Sequence, residues 1–150
     1  MSNEIRPFRI DVPQADLDDL ADRLTRTRLP QPVPGDDWEY GVPNHYLAEM
    51  VAHWRTAFDW RAQEEQINAY PQYRTDLDGA TVHFVHAKAT GKGIPLLLTH
   101  GWPSTFAEFA GVVAALADPG AHGADPADAF DVVVPSLPGY GFSAEPVEVG

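Results

Sequence analysis

Two short apolar runs, Ile94-Pro95-Leu96-Leu97-Leu98-Thr99 and Phe130 to Val134, limit what this chain can become. Each is bounded by turn-forming residues, and such runs suit strands buried on both faces. Between them, residues 104–117 carry Phe106, Phe109, Val112, Val113 and Leu116, a helix with a broad apolar face. A polar loop from Asp118 to Asp128 follows. Buried strand, helix, buried strand is the βαβ pattern of a parallel, helix-covered sheet with a right-handed crossover. The spacing predicts that residues 95–99 and 130–134 are neighbouring parallel strands. Upstream, Tyr73, Thr75 and Leu77 alternate as far as an Asp78-Gly79 turn, and Val82, Phe84 and Val85 follow. A hairpin therefore leads into the parallel pair, and the sheet is mixed.

The first 70 residues read differently. Leu17, Leu20, Ala21 and Leu24 recur at helical spacing, with Asp16, Asp18 and Asp19 early and Arg23, Arg26 and Arg28 late, an order that suits the helix dipole. Pro30, Pro32 and Pro34-Gly35 end that helix. Leu47, Met50, Val51, Trp54 and Phe58 form a second stripe behind Pro43, and a short charged helix runs from Asp59-Trp60 to Tyr70, closed by Pro71. Trp38, Trp54 and Trp60 read as packing anchors. Glu64-Glu65 and Asp36-Asp37 read as solvated faces and turns. The expected division is a helical meander over residues 1–70, lying over the first part of an α/β core in 71–150.

Composition removes several function classes. A net charge of −12 argues against nucleic acid and against an anionic membrane surface. The absence of cysteine excludes a disulfide framework, a thiolate zinc site and a cysteine nucleophile. His83 and His86 lie three apart on a strand, so they point to opposite faces and make a poor metal pair. No metal or cofactor is expected. The opening MSNEIRPFRI lacks an apolar signal-type run, and no stretch approaches the roughly eighteen apolar residues of a membrane span. The expectation is a soluble, cytoplasmic protein.

Two segments immediately follow the predicted buried strands, where open α/β sheets bind ligands. In His100-Gly101-Trp102-Pro103, Gly101 permits a backbone conformation that a side chain would block, and Pro103 stiffens the turn. Such a loop can aim the Trp102 N–H at one point, as an oxyanion hole requires. His100 reads as a loop-ordering side chain rather than a base. The sharp redirection from strand to helix favours a cis Trp102-Pro103 peptide. A rigid strand-to-helix turn with a packed Trp102 satisfies the same residues. The second segment, Pro135-Ser136-Leu137-Pro138-Gly139-Tyr140-Gly141-Phe142-Ser143, is a rigid exposed turn that could wall a pocket with Tyr140 and Phe142. Gly139 to Ala144 also matches a G-x-G-x-x-A spacing. Pro135 and Pro138 interrupt the tight turn that a dinucleotide site needs, and Glu145-Pro146 starts no apolar helix.

HGWP, a long apolar helix and then AFDVVVPSLPGYGFS resemble the epoxide hydrolase branch of the α/β-hydrolases. Arg6-Pro7-Phe8, the helix ending Thr27-Arg28-Leu29-Pro30, Trp38-Glu39-Tyr40-Gly41, Trp54, Phe58-Asp59-Trp60-Arg61 and Phe84-Val85-His86 resemble the N-terminal region of the microsomal-type family. At family level that region extends to about residue 103. The resemblance implies a fold: the first strands and helix of an α/β-hydrolase sheet preceded by a helical meander, incomplete at the C-terminus. It implies a reaction in which an Asp nucleophile opens an epoxide to an alkyl-enzyme ester while lid tyrosines bind the epoxide oxygen. A His paired with an acidic residue then activates the water that releases a vicinal diol. Carried over by position, Trp102 supplies one backbone oxyanion donor within the loop His100, Gly101 and Pro103.

No nucleophile elbow is present before Gly150, and the lid tyrosines and catalytic His also belong to later sequence. The chain is therefore expected to be a truncated, inactive N-terminal portion. Its expected partners are a small apolar epoxide and water, together with a C-terminal half supplied in cis or as a partner chain. A fragment of a haloalkane dehalogenase or esterase, or a non-catalytic fragment that binds a partner chain, remains open on the residues alone.

Overall fold

The computed structural model describes residues 4–32, 34–35 and 38–146. Asp36-Asp37 lie outside the described residues. The elements are β1 (Arg6–Phe8), α1 (Gln14–Thr25), α2 (Asn44–Thr56), α3 (Trp60–Asn68), β2 (Gln72–Leu77), β3 (Ala80–Ala87), β4 (Ile94–Leu97), α4 (Ala110–Ala117) and β5 (Phe130–Pro135). A single 3₁₀ turn, Phe106–Phe109, leads into α4, so the helix predicted over 104–117 is split. The chain divides into two compact units, one being Asp11–Gln63 and the other the sequence on either side of it.

The larger unit is built on a five-stranded sheet in the order β1-β2-β3-β5-β4. β4 and β5 are parallel, with Ile94 opposite Phe130 and Leu97 opposite Val133, as the two apolar runs predict. β2 and β3 form the predicted hairpin. Asp78 (φ 48°) and Gly79 (φ 87°) both sit in the left-handed region, which a two-residue turn of the right twist requires. β1 is a strand that periodicity did not reveal, three residues long and antiparallel to β2, with Pro7 opposite Tyr73. Its position at the sheet edge explains how Pro7, which has no N–H to give, is accommodated.

The core lies where α4 and its 3₁₀ turn cover β3 and β5. Val132 and Val134 are fully enclosed, with Val85, Phe106, Val113 and Ala117 packed around them. β4 differs from expectation. Ile94 is 57% exposed and Leu97 is 63% exposed, so this run is not buried on both faces. Among the described residues β4 is an edge strand paired only with β5, and α4 packs mainly over β5 and β3.

In the smaller unit α1 packs against α2, yet neither helix has a buried residue. The two predicted apolar stripes line one open groove of about 990 Å³, with Leu17, Leu24, Leu47, Val51 and Trp54 among its walls. Trp38 and Trp54 remain about half exposed, so neither is an enclosed anchor there. Trp38 instead meets the Tyr46 ring edge-on at 5.1 Å. Glu64 is also a correction, because it is buried whereas its neighbour Glu65 is exposed. It lies three and four residues before Ile67 and Asn68, on the same side of α3, and Ile67 faces the apolar packing around Val85 and Val134.

Candidate functional site

The two loops singled out in the sequence leave the carboxyl ends of the adjacent parallel strands β4 and β5. The pairing runs one residue past β4, where the Leu98 N–H donates to the Val133 carbonyl at 2.9 Å. The chain then turns through His100 to Ser104, closed by the Ser104 N–H donating to the Gly101 carbonyl at 2.8 Å. The Trp102-Pro103 peptide is cis, as the sharp redirection suggests. Trp102 is 83% exposed, so its indole packs against little of this unit. Its N–H makes no hydrogen bond to another described residue. Gly101 does not play the part expected of it, for an added Cβ would meet nothing within 4 Å and its φ is not left-handed.

The second loop, Ser136 to Ala144, is fastened at both ends to β3. The Ser136 N–H donates to the His83 carbonyl, and the Ala144 N–H donates to the Thr81 carbonyl, each at 2.8 Å. Ser143 Oγ donates to the Ser136 carbonyl at 2.7 Å and accepts from the His83 N–H at 2.9 Å. Within the loop Gly141 (φ 53°) is the position that admits no side chain. A Cβ there would come within 2.5 Å of Ser136 Oγ and 3.3 Å of the Phe106 ring. The loop therefore folds tightly down over Ser136.

His100 joins the two loops. It is 3% exposed, and its Nε2 accepts the Leu137 N–H at 3.2 Å while the Tyr140 ring meets the imidazole edge-on at 5.3 Å. Since Nε2 is an acceptor here, the neutral ring carries its proton on Nδ1, 3.4 Å from the Gly101 carbonyl. His100, Gly101, Trp102, Pro103 and Tyr140 are thus brought together. Phe142 turns away from them into a ring cluster with Phe8 (5.5 Å), His83 (5.4 Å) and Phe106 (6.1 Å).

A buried polar group beneath the loop escaped the sequence reading. His83 is fully enclosed, with Nδ1 2.8 Å from Ser136 Oγ and Nε2 3.0 Å from Gln72 Oε1. Burial, with the nearby Arg74 charge second, pushes its pKa from 6.5 down to about 4. The hint in the sequence is weak, because β2 is polar at both of its buried positions, Gln72 and Thr75, and nothing in residue order singles out Gln72 or His83.

The geometry defines an α/β protein that presents two hydrogen-bonded loops at the ends of adjacent parallel strands. The profile described as "Epoxide hydrolase N terminus" matches residues 5–109. A protein called a putative epoxide hydrolase from Stigmatella aurantiaca is 48% identical over 147 residues, 97% of this chain and 33% of its own length. Epoxide hydrolase 1 of Sus scrofa is 40% identical over 93% of this chain and 32% of its own length. Among solved structures, the Aspergillus niger epoxide hydrolase superposes with a TM-score of 0.81 at 32% identity, covering 95% of this chain and 37% of that one. Juvenile hormone epoxide hydrolase from Bombyx mori gives 0.85 at 29% identity, covering 99% and 40%.

The chain belongs to the epoxide hydrolase family and corresponds to its N-terminal portion, with the α/β-hydrolase fold. It spans about a third of the length of the curated relatives it matches.

Proposed function

We propose that this chain supplies the oxyanion loop and one pocket wall of an enzyme that converts epoxides and water to vicinal diols. The observation that carries the reading is the Leu137 N–H to His100 Nε2 bond, which locks the loop after β5 to the loop after β4 and leaves the Trp102 N–H uncommitted. In the reaction that the family resemblance of the sequence implies, a carboxylate opens the epoxide ring to an alkyl-enzyme ester, and water then attacks the ester carbonyl. Negative charge gathers on that carbonyl oxygen, and a fixed N–H aimed there stabilises it without reorganising. Trp102 fills this role, His100, Gly101 and Pro103 hold the turn that carries it, and Tyr140, packed on His100, lines the side toward an apolar epoxide, whereas Phe142 is taken up by the ring cluster of Phe8, His83 and Phe106. Losing one such donor costs on the order of 10²–10³ in rate.

The nucleophile, the base and the lid tyrosines come from sequence beyond these 150 residues, joined in cis or as a partner chain. The helical unit Asp11–Gln63 forms the meander, and the sheet-bearing unit, to which β1 belongs despite lying within the first 70 residues, forms the start of the catalytic core. Among the described residues no helix is long and apolar enough to cross a membrane. The proposed compartment is the cytoplasm, a reading in keeping with a cysteine-free chain.

The test measures diol formation from styrene oxide by the 150-residue chain and by a polypeptide that continues it to its relatives' length. Turnover by the longer protein and none by the chain is the expected result. Saturable, heat-abolished turnover by the 150 residues would show that the catalytic residues lie within them.

A further inference from the structure

The buried His83 group does more than fill the core. Its ring stands edge-on to Phe8 (5.2 Å), Phe106 (4.8 Å) and Phe142 (5.4 Å), so two polar nitrogens are buried within an aromatic cluster, which is costly unless both are paired. An imidazole there must have both nitrogens satisfied, and each has one partner in a defined role. Gln72 Nε2 donates to the Ile67 carbonyl (3.1 Å) and to Asn68 Oδ1 (3.2 Å), which fixes the amide with Oε1 toward His83. Asn68 is itself held by Ile10, whose N–H donates to Oδ1 and whose carbonyl accepts from Nδ2. Because Gln72 Oε1 can only accept, His83 Nε2 carries the proton and Nδ1 is left as an acceptor. The Ser136 hydroxyl must then donate to Nδ1, which leaves its oxygen in one orientation directly beneath Gly141.

Ser136 is the first residue of the loop whose next N–H, that of Leu137, holds His100. A line of single-role hydrogen bonds therefore runs from Ile10 through Asn68, Gln72 and His83 to Ser136, one residue short of the clamp on the oxyanion loop. We propose that His83, oriented by Gln72, is a positioning residue for the oxyanion loop. By fixing Ser136 it sets Leu137 against His100, and thereby sets the direction of the Trp102 N–H. The assignment rests on the function proposed above for Trp102, but the linkage itself concerns only residues of this chain. Satisfied buried networks of this sort select one arrangement out of several that apolar packing alone would allow.

Two measurements test it. In the ¹⁵N-histidine-labelled 150-residue chain, long-range proton–nitrogen correlations are expected to show His83 protonated at Nε2 and His100 at Nδ1. Ser136→Ala, a small change that leaves the ring cluster intact, is expected to shift the His100 imidazole and the Trp102 amide signals, neither of which Ser136 touches. Unmoved His100 and Trp102 signals would overturn the proposal. In a polypeptide of the relatives' length, single-turnover kinetics separate ring opening from ester hydrolysis. Ser136→Ala and His83→Phe are expected to slow ester hydrolysis by about tenfold, less than loss of the donor would, and to leave ring opening within about twofold, so that alkyl-enzyme accumulates. Both steps slowed alike would indicate a merely structural role, and both unchanged would refute the linkage. If the parent protein opens no epoxide, the functional reading fails, while the spectroscopic arm still decides the positioning.

Discussion

An alanine at Gly141 would have to adopt a φ of 53° and place its Cβ within 2.5 Å of Ser136 Oγ, whereas an alanine at Gly101 would meet open space. A left-handed backbone alone costs a side-chain-bearing residue about 1–2 kcal/mol, and the contact adds to it. Gly141→Ala is therefore expected to destabilise by about 2–3 kcal/mol and Gly101→Ala by less than about 0.5 kcal/mol, both read from urea midpoints. His83 brings a pH dependence of known sign. Its pKa is about 4 in the fold, against 6.5 ordinarily. Below pH 6.5 the unfolded chain takes up a proton that the folded one refuses. The stability associated with neutral His83 is thus complete above that pH and is lost as pH falls toward 4, amounting to up to roughly 3 kcal/mol. Asp76 is shifted down by the Thr81 hydroxyl and by Arg6, so its contribution disappears only at lower pH, below its usual 3.8. Urea denaturation at several pH values should show a drop across pH 6.5–4 in the parent chain and a shallower one in His83→Phe.

Among the elements, β4 shows how far the burial that an apolar run suits depends on a strand being present on each side. A continuous apolar run marks a strand that is suited to burial, and β5 achieves it at Val132 and Val134 because strands flank it and α4 covers it. β4 carries the same signal but, among the described residues, has a neighbour on one side only. An apolar edge strand with unpaired backbone groups is a template for another chain. Leu97→Lys is expected to reduce concentration-dependent association of the 150-residue chain in sedimentation velocity, with its unfolding midpoint unchanged because Leu97 is already largely exposed. Equal association of parent and variant would show that this edge is not the adhesive one. β1 is the opposite case, too short for any period and interrupted by Pro7, and it forms because the free edge of β2 accepts it.

For the whole molecule, the unequal enclosure of the two units has a measurable consequence. Residues of β3 and β5 are held between strands and α4, while α1 and α2 bury no residue and leave their apolar stripes along an open groove. Local opening follows enclosure, so backbone amides of α1 and α2 are expected to exchange with deuterium faster than those of β3 and β5. Similar protection in both would indicate that the groove is filled. The parallel strand pair, the hairpin, the two helical stripes and the two loops at the strand ends were all legible in the residue order. Each depends on side-chain alternation or turn chemistry within a dozen or so neighbours, and those forces act before any distant contact forms. The family was legible for a similar reason, because HGWP and PSLPGYGFS are contiguous. Strand order, the exposure of β4 and the burial of Glu64 depend on which surfaces meet, which no local period encodes. The His83 network is the furthest from sequence: Gln72 and His83 are polar residues without a motif, and only the register of β2 with β3 and of β3 with β5 brings them and Ser136 within hydrogen-bond reach.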